Sequence, residues 1–478
     1  MEEGIGKLLT IFEEISAIPR CSKHEEKISQ WLIDWAKDHD LEYETDEFMN
    51  VVIRVAGTTG YENSPSVVLQ GHIDMVCEKL SSSDHNFDTD AIKLVRDGEW
   101  LHAENTTLGA DNGVAVVMGL AVISEGIAHP PLELLFTADE ETGLTGAANL
   151  KSDFLKSSLF INLDSEGEGK FTIGCAGGKD VTVSLALQPE TAPAESEFLA
   201  ITAGGMKGGH SGVDIDKNRA CANKVMARLL YNLKEEFSFN LVEIKGGFAH
   251  NAISRDARAV ICSFPEDREA ILTTIGKLKA DLVNEYKDLE PEISLQLEEL
   301  SIKGEVFSEE STGRAIDLLL ALPHGIAAMT PKIPELVETS DNMATMEIKE
   351  NSLEILLSIR SSVGSRLEAL NNTITAIGTL SGADVSYSDG YPAWQPDVNS
   401  ILLKKSMQIY DELFGEKAEV LIIHAGLECG VIGEKYPEME MISFGPTIVN
   451  AHSPEEKLHL PSFYRTWQFL VKLLSELK

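Results

Sequence analysis

The stretch "VVLQGHIDMV", residues 67–76, decides how the chain is read. It is an apolar run of the kind that forms a buried strand, and it ends in His72 and Asp74, two positions apart. Taken alone, such a pair is most often a satisfied polar group at a strand end. The pattern recurs, however. "LELLFTADEETG" (132–143) runs into Asp139, Glu140 and Glu141, and "SLFINLDSE" (158–166) runs into Asp164. A helical block, "NGVAVVMGLAVISEG" (112–126), lies between the first two runs. Strands alternating with helices argue an α/β unit with a mixed, mainly parallel sheet flanked by helices. In such sheets, ligand sites lie beyond the carboxyl ends of the strands, where these polar residues fall.

Working outward, residues 1–182 keep this alternation. Residues 183–397 change character: "DVTVSLALQPE", "SEFLAITAGG", "RAVICSFP" and "LEILLSIRSS" read as strands with amphipathic helices between them, an α+β domain of its own. Residues 398–478 return to helix and strand, with "MEMISFGP" as another core strand. The middle block is therefore expected to be an insertion into the first domain.

The chain has 478 residues, enough for two or three domains, and its 40 basic against 77 acidic residues give a net charge of −37. Such a surface repels phosphate backbones and anionic lipid, so neither a nucleic-acid nor a membrane partner is expected. The start, "MEEGIGKLLTIFEEIS", lacks the basic and apolar blocks of a signal peptide. The longest apolar block, "VAVVMGLAVI" (114–123), is too short to span a bilayer. The six cysteines form no C-x-x-C pair, and the expectation is a cytoplasmic protein with reduced, mostly buried thiols.

The polar residues admit bland and chemical readings side by side. Asp111 in "TTLGADNGVA" is a good helix N-cap or a metal ligand. The triple acid at 139–141 is a solvated turn or a cation site. His452 in "GPTIVNAHSPEE" precedes a favourable helix start at Ser453 and Pro454 and is structural or a ligand. Together, His72, Asp111, Glu140, Glu141, Asp164 and His452 form the inventory of a two-metal hydrolytic site, in which one carboxylate bridges two cations and another accepts a proton from water. Competing motifs fail. "HEEKI" is not H-E-x-x-H, "GHSGV" lacks the last glycine of a nucleophile elbow, and the 164–175 segment has Cys175 where a calcium loop needs glutamate.

The ordered motifs "LQGHIDMV", "TTLGADNGVA", "TADEETG", "INLDSE" and "NAHSPEE" resemble those of the co-catalytic zinc metallopeptidases that include glutamate carboxypeptidases and aminoacylases. "HEEKISQWLIDWAKDH", "DGEW" and "GCAGGKD" resemble its aminoacyl-histidine (cytosol non-specific) dipeptidase subgroup, and the likeness covers essentially the whole chain. The resemblance implies a dinuclear centre with two Zn2+ per chain, or Mn2+ or Co2+. It implies His72 and Asp164 on one metal, Glu141 and His452 on the other, and Asp111 between them. Asp74 would orient His72, and Glu140 would be the general base. The middle block then resembles a lid domain. There His210 in "MKGGHSG" would stabilise the oxyanion, and Asn251 in "FAHNAISRDARAV" would touch substrate. Arg360 in "LEILLSIRSS" would clamp its carboxylate, and Glu428 in "IIHAGLECG" would meet its amino group. The expected activity is hydrolysis of unblocked dipeptides, including Xaa-His types such as β-alanyl-histidine. The rivals are an N-acyl amino acid amidase or tripeptidase on the same scaffold, and an inactive metal-dependent binding protein. The resemblance favours a homodimer and leaves open whether His210 acts in cis or in trans.

Overall fold

The computed structural model describes residues 2–331 and 336–478. They form two compact units. The first takes the chain up to Cys175 together with Trp394–Ile422 and Leu427–Lys478; the second takes Ala176–Ala393 and Ile423–Gly426. The middle of the chain is thus inserted into the first unit. The junctions at 175/176 and 393/394 differ from the expected 182/183 and 397/398. The reason is that strand Gly177–Ala186 runs through the expected first boundary and pairs along its length with Ser352–Ser361 of the second unit.

The first unit is built on an eight-stranded sheet. Its order is Glu42–Thr45, Val51–Val55, Leu132–Thr137, Val67–His72, Leu159–Asn162, Glu440–Ser443, Lys170–Cys175 and Glu419–Ile423. The four strands from Leu132–Thr137 to Glu440–Ser443 are parallel, and the pairings that flank them are antiparallel. Leu132–Thr137 and Val67–His72 are buried at every position, which is why they read as continuous apolar runs rather than alternating ones. Helix Ala110–Ser124 is buried almost all round and packs on Val67–His72. Gly71 permits this approach, since a Cβ there would collide with Ala115 and Asn112.

The second unit carries a nine-stranded sheet in which every described pairing is antiparallel. Helices Ala222–Glu236, Arg268–Tyr286, Glu309–Ala321 and Gly364–Ser381 join the sheet in one buried apolar cluster, with Val183, Ile201, Leu229, Ile316, Ile355 and Ile374 among its members. This is an α+β layer pair.

Two expectations are corrected. Cys21 and Cys77 are joined in a disulfide with Cα atoms 5.6 Å apart, so not all six cysteines are reduced thiols. Residue 21 forms an isolated parallel bridge with Met75, and this tertiary contact brings two cysteines far apart in sequence together. The other four are free and buried. No helix starts at Ser453. Residues 451–455 turn, Lys457–His459 is a strand, and the last helix is Leu460–Glu476. Glu456 faces inward instead of capping a helix, with the consequence described next.

Candidate metal centre

Three parallel strands end side by side and deliver their polar residues to one edge. His72 closes its strand and is 1% exposed. Its Nε2 lies 3.1 Å from Asp111 Oδ1 and 3.5 Å from Asp164 Oδ1. Its Nδ1 lies 3.3 Å from Asp74 Oδ1. His452 approaches from the turn after Ile448–Val449, with Nε2 3.0 Å from Asp111 Oδ2 and 3.0 Å from Glu141 Oε2. Asp111 therefore turns one oxygen to each imidazole. Its backbone departs from helical angles although it lies in the first turn of Ala110–Ser124, and its carboxylate points to the histidines rather than capping the helix.

Two triads result, His72–Asp111–Asp164 and Asp111–Glu141–His452, each with ligand atoms within 4.8 Å of one another. They share Asp111. Nitrogen and carboxylate donors in this number suit Zn2+ and equally Mn2+ or Co2+. The second oxygen of Glu141 is buried with no hydrogen-bond partner, an orphan that a cation would satisfy. Electrostatics agree. Burial pushes the Glu140 carboxyl well above its ordinary range against the pull of His72, and Asp164, Glu428 and Glu141 add to the push. Burial likewise lifts Asp164 to about 6. Positive charge among these acids removes that repulsion. The imidazoles are raised as well, which for them favours the charged form. Hydrogen bonds to Asp111 and Glu141 push His452 up to about 11, and for His72 the surrounding carboxylates outweigh burial.

The supporting shell is backbone-based. Asp74 is fully buried. Its Oδ1 accepts the N–H of Glu140 at 3.1 Å, and its Oδ2 accepts the N–H of Glu141 at 3.2 Å and the Ser22 hydroxyl at 2.8 Å. Burial raises the Asp74 carboxyl, but His72 and these donors outweigh it and hold it below its ordinary value. Asp139 and His452 both adopt left-handed backbone, φ 51° and 62°. Non-glycine residues hold such angles where the surroundings dictate them.

Glu456 and Arg20 are among the residues of this shell that sequence reasoning missed. Glu456, 2% exposed, accepts the N–H groups of Leu108, Gly109, Ala110 and Asp111 at 2.8, 3.0, 2.8 and 3.3 Å. One carboxylate thus holds the loop that aims Asp111. Arg20, 3% exposed, donates to the carbonyls of Ile73, Asp74 and Gly109. Gly109, at φ 70°, leaves it room, since a Cβ would meet Arg20 Nη2 at 2.5 Å. The signals available were the acid pair behind His452 and an arginine before the Cys21–Ser22 turn, and neither is distinctive.

Glu428 opens helix Glu428–Lys435 in the first unit and is fully buried. Its Oε2 accepts from Gln70 Nε2 and from Thr137 Oγ1 at 2.5 and 2.8 Å, while Oε1 has no partner. Burial pushes it up to about 7.

The remaining expected residues lie in the second unit. His210 sits in the two-stranded pairing of Gly209–His210 with Ala252–Ile253. Its Nδ1 accepts the N–H groups of Gly212 and Val213, both at 3.1 Å. Burial and then Arg360 hold its pKa below the ordinary histidine value, so the neutral ring carries its proton on Nε2. Arg360 is 6% exposed, donates from Nη1 to Tyr391 Oη at 2.6 Å and from Nη2 to Ser211 Oγ at 3.5 Å, and has an unpartnered Nε. Among the described residues it makes no ion pair with an acid. Asn251 is exposed in the turn before Ala252–Ile253, and its carbonyl accepts the Ser211 N–H at 2.8 Å.

Comparison with known proteins points the same way. Residues 68–476 match the model of Peptidase family M20/M25/M40. The chain is 38% identical over 471 residues to the cytosol non-specific dipeptidase of Escherichia coli, covering 98% of this chain and 97% of that one. It superposes on the crystal structure of aminoacylhistidine dipeptidase from Vibrio alginolyticus with a TM-score of 0.94 at 38% identity, covering 99% and 96% of the two chains. An aminopeptidase from Bacillus cereus shares the fold at a TM-score of 0.58 and 15% identity, covering 99% and 98%.

Proposed function

The chain belongs to peptidase family M20/M25/M40, a family of metal-dependent peptide-bond hydrolases whose close relatives of this chain are dipeptidases, and we propose that it is itself a dinuclear metal-dependent dipeptidase acting on unblocked dipeptides. The observation that carries this is Asp111 turning one oxygen to each of two imidazoles, each of which is joined by a further carboxylate. His72, Asp164 and Asp111 would hold one cation; Glu141, His452 and Asp111 would hold the other. Such cations supply Lewis acidity, polarising the scissile carbonyl and making water a better acid.

The chain's own groups do the rest. Glu140, its backbone fixed by Asp74, accepts a proton from the attacking water and returns it to the leaving amine. Asp74 holds the His72 ring through Nδ1, so that Nε2 faces the acids. His210, with Nδ1 occupied by two backbone donors, offers Nε2–H to the oxyanion of the tetrahedral intermediate. Arg360, with no acidic partner among the described residues, receives the free carboxylate of the substrate. Glu428, with one oxygen unpartnered, receives its ammonium group, and Asn251 contacts the backbone. A homodimer is the assembly this reading carries.

The test is a panel on purified protein: free dipeptides including an Xaa-His, one N-acetyl amino acid and one tripeptide, before chelation, after it, and after metal add-back. Dipeptide cleavage lost on chelation and restored by metal is expected. Preference for the blocked or longer substrate would move the assignment to an amidase or tripeptidase. No cleavage by folded, metal-loaded protein would leave a binding role.

A further inference from the structure

The segment 20–25 supplies none of the metal ligands assigned above, yet it lines the back of their shell. Arg20 holds the 73–74 and 109 carbonyls, Ser22 donates to Asp74, and Glu25 is fully buried at the start of helix Glu26–Asp38. Glu25 Oε1 accepts the N–H of Lys23 at 2.8 Å and the N–H of Asp139 at 3.1 Å. The next two amides of the same loop, those of Glu140 and Glu141, end on the two oxygens of Asp74. Three successive N–H groups are thus held by two buried carboxylates. Glu25, Asp74 and Asp139 each offer an oxygen within 4.8 Å of the others, and Glu25 Oε2 is buried without a hydrogen-bond partner.

This arrangement is more than local capping. Glu25 makes no side-chain cap bond to its own helix. Its reach is to a loop more than one hundred positions along the chain, at the residue where the backbone turns left-handed. The Asp139 side chain is itself tied down by the hydroxyls of Thr142 and Thr145. With Asp139 fixed from both sides, the direction in which Glu140 leaves the backbone is set by Glu25 at one end and Asp74 at the other. A buried, partly unsatisfied carboxylate is costly, and a core position without a task is usually apolar.

We propose that Glu25 is a positioning residue for the reaction. It anchors the Asp139 amide and thereby aims the Glu140 carboxylate, and so rests on the reading of Glu140 as the base. A shift of about 1 Å in a catalytic group costs on the order of 100-fold in rate. Glutamine at 25 keeps the acceptor at the Oε1 position and places an N–H2 where the unpartnered oxygen lies. Alanine removes the anchor.

The experiment compares Glu25→Ala and Glu25→Gln, each in the wild-type and Glu140→Asp backgrounds, by kcat, KM, bound metal and Tm. Glu25→Ala should lower kcat ~10–100-fold with KM and metal content near wild type, and Glu25→Gln should recover most of the loss. In the Glu140→Asp background, Glu25→Ala should cost much less, because the two changes act on the same group. The proposal is overturned if Glu25→Ala keeps wild-type kcat, or if metal and kcat fall together. An equal factor in both backgrounds overturns it as well. Three metals per wild-type chain falling to two in Glu25→Ala would replace it with a cation site. Should Glu25→Ala not fold, Glu25→Asp, which draws the same oxygen back by one methylene, is judged by the same outcomes. Glu140→Ala alone keeps the two claims apart, since full activity there refutes the base assignment whatever Glu25 does.

Discussion

The two units hold opposite kinds of chemistry. In the first, Asp74, Asp111, Glu140, Glu141 and Asp164 crowd around two imidazoles, and both imidazoles are drawn toward protonation. In the second, His210 and His424 are both held toward neutrality by burial and by Arg360, and Arg360 has no acidic partner among the described residues. His424 is pushed down to about 4 and bonds Ser340 Oγ through Nε2 at 2.7 Å. The contrast is local: acids predominate around the two imidazoles of the first unit, while beside His210 the Arg360 guanidinium has no ion-paired acid among the described residues. The first is therefore prepared for cations. On the proposed reading, the second would serve the anions of a peptide hydrolysis, namely an oxyanion and a terminal carboxylate.

Substitutions can break this comparison at either end. The largest effect is expected from Glu140→Ala, a ~10²–10⁴-fold loss of kcat with metal content unchanged. Steady-state kinetics with metal analysis checks it, and a parallel loss of metal would recast Glu140 as a ligand. His210→Ala should lower kcat ~10²–10³-fold with little change in KM or metal. Glutamine there, which keeps a donor, should recover part of it, and mixed oligomers with Glu140→Ala chains would show whether the imidazole acts in cis or in trans. Arg360→Ala should lower kcat/KM ~10–100-fold for dipeptides with a free carboxylate and far less for their C-terminal amides. Equal losses on both substrates would make Arg360 structural.

The smallest effect concerns protons. His452 is raised to about 11 and His72 is raised as well, so a cation must compete with protons for these rings. Raised histidines favour the folded, metal-free protein below their ordinary pKa of about 6.5, and that contribution is lost as pH climbs through the folded values. Metal affinity should accordingly rise with pH from about 7 upward, with ~1–2 protons released per chain on loading. Calorimetry in buffers of different ionisation enthalpy reads this directly. A heat independent of buffer would contradict it.

Much of the first unit was legible because its signals are local. A strand buried on both faces reads as an apolar run, and a polar residue ending such a run is visible as a break in it. His72, Asp164 and the acids at 139–141 all announce themselves this way. What escaped depends on tertiary contact. Glu456 reads as part of a helix start but spends its carboxylate on four amides of a distant loop. Glu25 sits inside a helical pattern whose period says nothing of Asp139, and Cys21 and Cys77 look like two scattered thiols until Met75 draws them together. In the second unit, Val337–Lys349 went unread because its middle, "TSDN", is polar yet fully buried, so neither alternation nor an apolar run marks it.

The most direct measurement follows dipeptide hydrolysis as zinc or manganese is titrated into chelated protein of known concentration. If the Asp111-centred pair of triads is the catalytic centre, activity should climb to a plateau as the second equivalent per chain is filled. A plateau complete at one equivalent, or no hydrolysis with two equivalents bound, would contradict it.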